Sequence, residues 1–123
     1  MASETLRSSL TIADDLPDAR EALLAQGMAY VTFARKNPAL FRLMFSHQFG
    51  CAGTAAGQGA YEVLARRVAD MLPAHAMPAT LACWSMVHGI ATLELSGRLP
   101  RTEPDAIAAA VRLFVAGLGA GVE

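Results

Sequence analysis

Trp84 and His88 stand four residues apart in a stretch, Met71 to Leu93, that carries no Asp, Glu, Lys or Arg. At helical spacing their rings share one face. They could line a cavity, with the imidazole as its one polar handle. Equally, both could be packing residues, with His88 bonded to a backbone carbonyl. Gly89 removes a side chain, which lets another helix approach or leaves room for a ligand. Met28, Phe33, Phe41, Met44, Phe45, Val68, Met71 and Trp84 form a large, soft inventory. Methionine adapts to irregular shapes, and small-molecule pockets are mostly apolar. A core draws on the same residue types. Tyr30 and Tyr61 offer hydroxyls to a ligand or sit at the core edge.

Other chemistry finds little support. His47, His75 and His88 share no helical spacing, Cys83 is five residues from His88, and neither Cys-x-x-Cys nor His-x-x-x-His occurs. A metal site assembled in space from His47, Cys51 and His75 is the one arrangement left open. There is no Gly-x-Ser-x-Gly elbow, and no strand precedes a Gly-rich phosphate loop. The expectation is therefore no enzyme, no metal and no cofactor. A small enzyme using His88 as a base is the weakest rival reading.

The totals narrow the class. A chain of 123 residues is one domain with a single core. It is 54% hydrophobic and 17% charged, with mean hydropathy +0.34, against about 25% charge in ordinary soluble domains. The excess apolar surface must be hidden by a membrane, a ligand cavity or a partner subunit. Pro73 and Pro78 interrupt the longest uncharged run, and 79–93 falls short of the roughly 20 residues a membrane span needs. No signal peptide is evident. Cys51 and Cys83 make no disulfide framework, so a reduced cytoplasmic protein is expected. A net charge of −1 and a pI near 6.3 give no electrostatic reason for this chain to bind nucleic acid.

Apolar residues recur at helical spacing nearly throughout, which predicts an all-α domain. A modest helix spans 3–13. After the break at Leu16-Pro17-Asp18, a helix over 18–36 has acid at its start and Arg35 and Lys36 in its last turn. Asn37-Pro38 ends it and begins another over 38–46, with Asn37 as cap and Pro38 at the first helical position. Residues 47–59 hold Gly50, Gly53, Gly57 and Gly59 and read as a loop. The helix 58–72 has an apolar stripe of Tyr61, Leu64, Val68 and Met71, with a ladder of Glu62, Arg66 and Asp70 opposite. Pro73 and Pro78 bracket a connection. The helix 79–97 ends at Gly97. The last helix, 103–119, has Thr102 or Glu103 near its cap, and Gly117, Gly119 and Gly121 fray its end.

The last two helices carry apolar residues on too many sides for one core. In 103–119, Ile107, Val111, Phe114 and Leu118 form one stripe, and Ala106, Ala110, Leu113 and Gly117 a second. One face can pack on the chain's own core while the other meets a second copy, giving a four-helix bundle about a two-fold axis. An Ala-rich buried helix in a monomer is the alternative. The interface residues expected are Val87, Ile90, Ala110, Val111, Phe114 and Leu118, and Phe114→Glu should break the pair.

Two segments resemble a known family. Tyr30-Val31-Thr32-Phe33-Ala34-Arg35-Lys36-Asn37-Pro38-Ala39-Leu40-Phe41-Arg42-Leu43-Met44-Phe45 and Trp84-Ser85-Met86-Val87-His88-Gly89 look like the C-terminal domain of one branch of tetracycline-repressor (TetR) transcription regulators. The resemblance covers roughly 18–119. It implies an all-α homodimer joined through its last two helices. It also implies a small apolar effector held among the central helices, whose binding moves the linker helix entering the domain. On that basis 1–17 is the remnant of the linker and its connection, and 18–123 the effector-binding and dimerisation domain. The pocket residues expected are Met28, Phe33, Phe41, Phe45, Val68, Trp84 and His88. Residues 1–17 contain one Arg, Arg7, and no helix-turn-helix unit, so no direct DNA binding is expected of this chain. The rival is a stand-alone helical module that forms mixed dimers with related regulators.

Overall fold

The computed structural model describes residues 2–45, 55–99 and 105–119, with side chains in 6–45, 58–99 and 105–119. Among the described residues it is all helical: α1 (Ala2–Ala13), α2 (Ala19–Lys36), α3 (Pro38–Met44), α4 (Ala55–Met71), a 3-10 turn (Pro73–His75), α5 (Ala76–Leu95) and α6 (Asp105–Gly117). Helix α2 runs through the middle and packs against α1, α3, α4, α5 and α6. Helices α1 and α4 lie against each other on one side, and α4 also meets α5. No helix among the described residues is long and apolar enough to cross a membrane.

Local chemistry explains most boundaries. Asp18 caps α2 by accepting from the Glu21 backbone N–H at 3.0 Å. At the other end the Asn37 backbone N–H and its side-chain Nδ2 both donate to the Phe33 carbonyl. The Asn37 side chain thus closes the outgoing helix, whereas a cap on the incoming one was expected; Pro38 starts α3 without a side-chain cap. Helix α5 ends in a Schellman arrangement: Gly97 N–H donates to Glu94 O and Arg98 N–H to Leu93 O, with Gly97 at φ +70°. Two arginines also sit at helix ends, those of α6 and α5. Arg20 donates to the carbonyls of Val115 and Leu118, and Arg42 to that of Leu95, each placing a cation at a helix C-terminus.

Several boundaries differ from expectation. Helix α4 begins at Ala55, so Gly57 and Gly59 are helical rather than in a loop. Gly59 faces the Arg7 side chain, which a Cβ there would meet at 3.3 Å, so the glycine admits α1 closely. Helix α5 begins at Ala76 and passes through Pro78, which occupies the third helical position. Backbone N–H groups in the first turn have no partner in the helix, so a proline there costs no hydrogen bond. Helix α3 stops at Met44, short of the expected 46. The Glu62, Arg66 and Asp70 ladder forms no ion pair: all three are exposed, and such pairs barely repay the entropy of holding two long side chains. The remainder of the 47–59 loop, with His47, Gly50, Cys51 and Gly53, lies outside the described residues, as do Thr102, Glu103 and Gly121.

Gly27 sets the tightest approach in the molecule's centre. A Cβ added there would stand 3.1 Å from Val111 Cγ1 of α6 and 3.4 Å from Val87 Cγ1 of α5. Its missing side chain lets both helices rest on α2. Gly27→Leu is expected to destabilise the fold by about 1–3 kcal/mol through overpacking, read as a lower urea midpoint; an unchanged midpoint would show that α5 and α6 are not held there.

Candidate functional site

Two clusters divide the interior, and Trp84 packs against both. The first is aromatic and centres on Tyr30, which is 1% exposed. Phe41 and Trp84 meet its ring edge-on at 5.6 and 5.3 Å between centroids, and Phe45 lies tilted at 6.3 Å. These geometries suit ring quadrupoles better than face-to-face stacking. His88 joins the group, with Phe45 at 5.0 Å, Phe41 at 5.4 Å and Trp84 stacked at 6.5 Å. Tyr61 also approaches Trp84 edge-on, at 5.3 Å.

Within this cluster the Tyr30 hydroxyl and His88 Nδ1 are 2.8 Å apart. Burial pushes the phenol well above its ordinary range and pulls the imidazole below its own. Both groups are therefore neutral near pH 7. The phenol is the stronger donor, so Tyr30 donates to Nδ1 and the ring proton sits on Nε2. His88 Nδ1 is thus engaged with Tyr30.

The second cluster is aliphatic, built from Leu23, Leu24, Leu64, Val68, Ala79, Cys83, Val111 and Val115. Between the two lies an apolar cavity of about 20 Å³. Its wall comes from five helices: Leu10 of α1; Leu23, Gln26, Gly27 and Tyr30 of α2; Leu64 of α4; Cys83, Trp84, Met86 and Val87 of α5; and Val111, Phe114 and Val115 of α6. That volume has room for about one water, where drug-sized sites run to roughly 300–1,000 Å³. A larger guest requires wall side chains to repack or the helices to part.

Among the described residues no charged side chain lines this cavity. The Cys83 thiol is pushed up to about 11 by burial, so it stays protonated and is a poor nucleophile. Among the described residues no group of three or more His, Cys, Asp or Glu gathers to hold a metal. His47 and Cys51, two members of the metal arrangement left open by the sequence, lie outside the described residues.

Residues 23–118 match the family model for the tetracyclin repressor-like C-terminal domain. The chain belongs to that family. No curated protein and no solved structure matches it. As a tetracyclin repressor-like C-terminal domain, the chain is of regulator type.

The seven expected pocket residues separate in space. Phe33, Phe41, Phe45, Trp84 and His88 fall in or against the aromatic cluster, while Met28 and Val68 belong to the aliphatic one. Only Trp84 also lines the cavity. Among the six expected interface residues, Val87 and Val111 are 8% and 2% exposed and leave a partner almost nothing to cover. Ile90, Phe114 and Leu118 are half-buried, and Ala110 is exposed.

Gln26 was missed altogether. It is 1% exposed, on the same stripe of α2 as Leu23, Tyr30 and Phe33. A polar residue in phase with an apolar helix stripe was the available signal.

The buried His88 yields a pH prediction. The folded protein binds its proton at lower pH than the unfolded chain, where the ordinary value is 6.5. The stabilisation tied to the neutral ring is complete above that value and is lost as pH falls toward the folded one. Melting temperature should therefore drop from pH 7 to pH 5. In His88→Gln, which keeps an acceptor for Tyr30, that part of the drop should vanish; an identical slope in both proteins would clear His88 as its source.

Proposed function

We propose that this chain is the effector-sensing and dimerisation domain of a transcription regulator. It holds a small apolar molecule among its helices, pairs with a second copy through α5 and α6, and leaves any contact with DNA to a head outside this domain. The observation that carries the reading is the position of the cavity, whose wall includes Leu10 of α1. A molecule that widens the cavity toward α1 displaces Leu10, and α1 with it.

Magnitudes favour such coupling. Leu6 and Leu10 are fully buried, at 0% and 2%, and each contributes roughly 1.5–3 kcal/mol of apolar burial. The ion pair of Asp14, just beyond α1, with Arg67 of α4 is partly exposed at 2.6 Å. It adds about 1 kcal/mol or less. Apolar packing around the cavity therefore governs where α1 sits, and an apolar effector competes for that same packing. The response is a two-state shift driven by unequal affinity for the two positions of α1.

Dimerisation is supported by the outer faces of the last two helices. Met77, Leu81, Leu93 and Leu113 are large, apolar and exposed, Leu113 to 77%. Ala106, Ala109, Ala110, Ala116 and Gly117 surround Leu113 on α6. On α5, a Cβ placed on Gly89 would meet nothing within 4 Å of its own chain. The alternative stripe of α6, Ile107, Val111, Phe114 and Leu118, packs on the aliphatic cluster. The outward stripe is the one a second copy would cover.

Phe114 lines the cavity, so its substitution would confuse two effects. Leu113→Glu and Gly89→Leu alter only the outer face. Sedimentation should show a dimer for the parent and a monomer for both variants, with helicity unchanged; dimers in all three would move the interface elsewhere. Native mass spectrometry of freshly purified parent should show twice 12.9 kDa with a reproducible small adduct.

A further inference from the structure

Gln26 has two polar ends in a buried setting, and only one is used. Its Nε2 donates to Asp14 Oδ1 at 2.8 Å. Asp14 also takes Nε of Arg67 on the same oxygen and a second guanidinium N–H on its backbone carbonyl. A carboxylate only accepts, which fixes the amide with nitrogen toward Asp14 and oxygen away from it. The Oε1 atom is buried and has no hydrogen-bond partner among the described residues. Gln26 is at the same time a member of the cavity wall, among leucines, valines and aromatic rings.

We propose that Gln26 Oε1 is the recognition group of the cavity, and that the effector is a neutral, ring-sized apolar molecule carrying one hydrogen-bond donor, a hydroxyl or an N–H. The inference rests on the sensing role proposed above. An unpaired acceptor in an apolar interior is costly, and a ligand that donates to it relieves that cost. An anionic ligand finds no cation on the wall and would face the amide oxygen's negative end. A cationic one finds no carboxylate there, since Asp14 is not part of the wall and is already held by Arg67. The other polar wall groups offer less to a donor: the Tyr30 hydroxyl is bonded to His88, the Cys83 thiol is a weak donor and acceptor, and the Trp84 indole N–H can only donate. A site built to receive one donor rejects the analogue that lacks it far more strongly than a greasy pocket distinguishes methylenes.

Phenol and anisole test this directly, being similar in shape and differing in the donor. Calorimetric titration of the full chain should give phenol binding on the order of tenfold tighter than anisole. In Gln26→Met, which keeps length and removes the acceptor, that preference should collapse while anisole binding holds or improves. In amide-resolved NMR of the parent, the Gln26 side-chain signals should shift with phenol and far less with anisole. Equal binding of both molecules by the parent, or a preference that survives Gln26→Met, overturns the recognition role and leaves a cavity that senses apolar molecules. Binding of neither at millimolar concentration overturns the sensing role and this inference with it. Circular dichroism of Gln26→Met confirms that the comparison is made on folded protein; should it not fold, Gln26→Leu replaces it and the parent's phenol-to-anisole ratio decides the matter alone.

Discussion

Helix α2 is enclosed by five other helices, and its burial on almost every side governs the rest of the domain. A helix in that position cannot show its neighbours one apolar stripe and keep a polar back. It therefore carries buried residues all along, from Ala22 to Ala34, and its charges are pushed to the ends: Arg20 and Glu21 at one, Arg35 and Lys36 at the other. Those end charges still reach outward. Arg20 closes the end of α6, Glu21 pairs with Arg112, and Arg35 pairs with Glu94 of α5. Each is exposed and individually weak, so they align helices that packing has already brought together.

The same enclosure explains why the two sides of α2 differ. Toward α3 it meets flat rings with directional contacts and one internal hydrogen bond, Tyr30 to His88. Such a cluster has few alternative arrangements, because moving one ring breaks edge-on contacts with several others. Toward α6 it meets Leu, Val and Met side chains, which repack at small cost. The cavity lies along this boundary, with a stiff wall at Tyr30 and Trp84 and an adaptable one at Leu23, Leu64, Met86 and Val115. Expansion is cheaper on the aliphatic side.

Much of the fold could be read from the chain. Asn37-Pro38 and Gly97 marked helix ends because each acts locally, through a fixed φ or a left-handed residue. The two stripes of the last helix were legible as stripes but not their directions: Val111, Phe114 and Leu118, expected at an interface, pack with Ile107 on the aliphatic cluster, and Ala106-Ala110-Leu113-Gly117 faces outward. Pro78 and Gly59 misled for the opposite reason. A proline in the first turn and a glycine under a crossing helix are tolerated by their surroundings, which residue type alone does not reveal. The site was harder still. Periodicity assigns a residue to a face, not to one of the several neighbours that face can meet. His88 drew attention as the polar residue of an apolar helix, yet its ring turns to Tyr30, and Gln26, on a helix read for its leucines, reaches the cavity wall.

So small a cavity also limits what an effector can be, if sensing is its purpose. Shifting a two-state equilibrium from 1:99 to 99:1 takes about 5.5 kcal/mol of differential binding. One hydrogen bond supplies about 0.5–1.5 kcal/mol net, or about 1–3 when it rescues a buried unpaired group. The polar contact alone cannot move α1. At about 25 cal/mol per Å², the balance requires on the order of 100–200 Å² of apolar surface buried in one state and not in the other, close to the roughly 150–250 Å² of an aromatic side chain. A molecule of that size cannot enter about 20 Å³ without displacing Leu10 or the α6 valines. The apolar body would therefore supply the force on α1, and Gln26 would decide which apolar bodies are admitted.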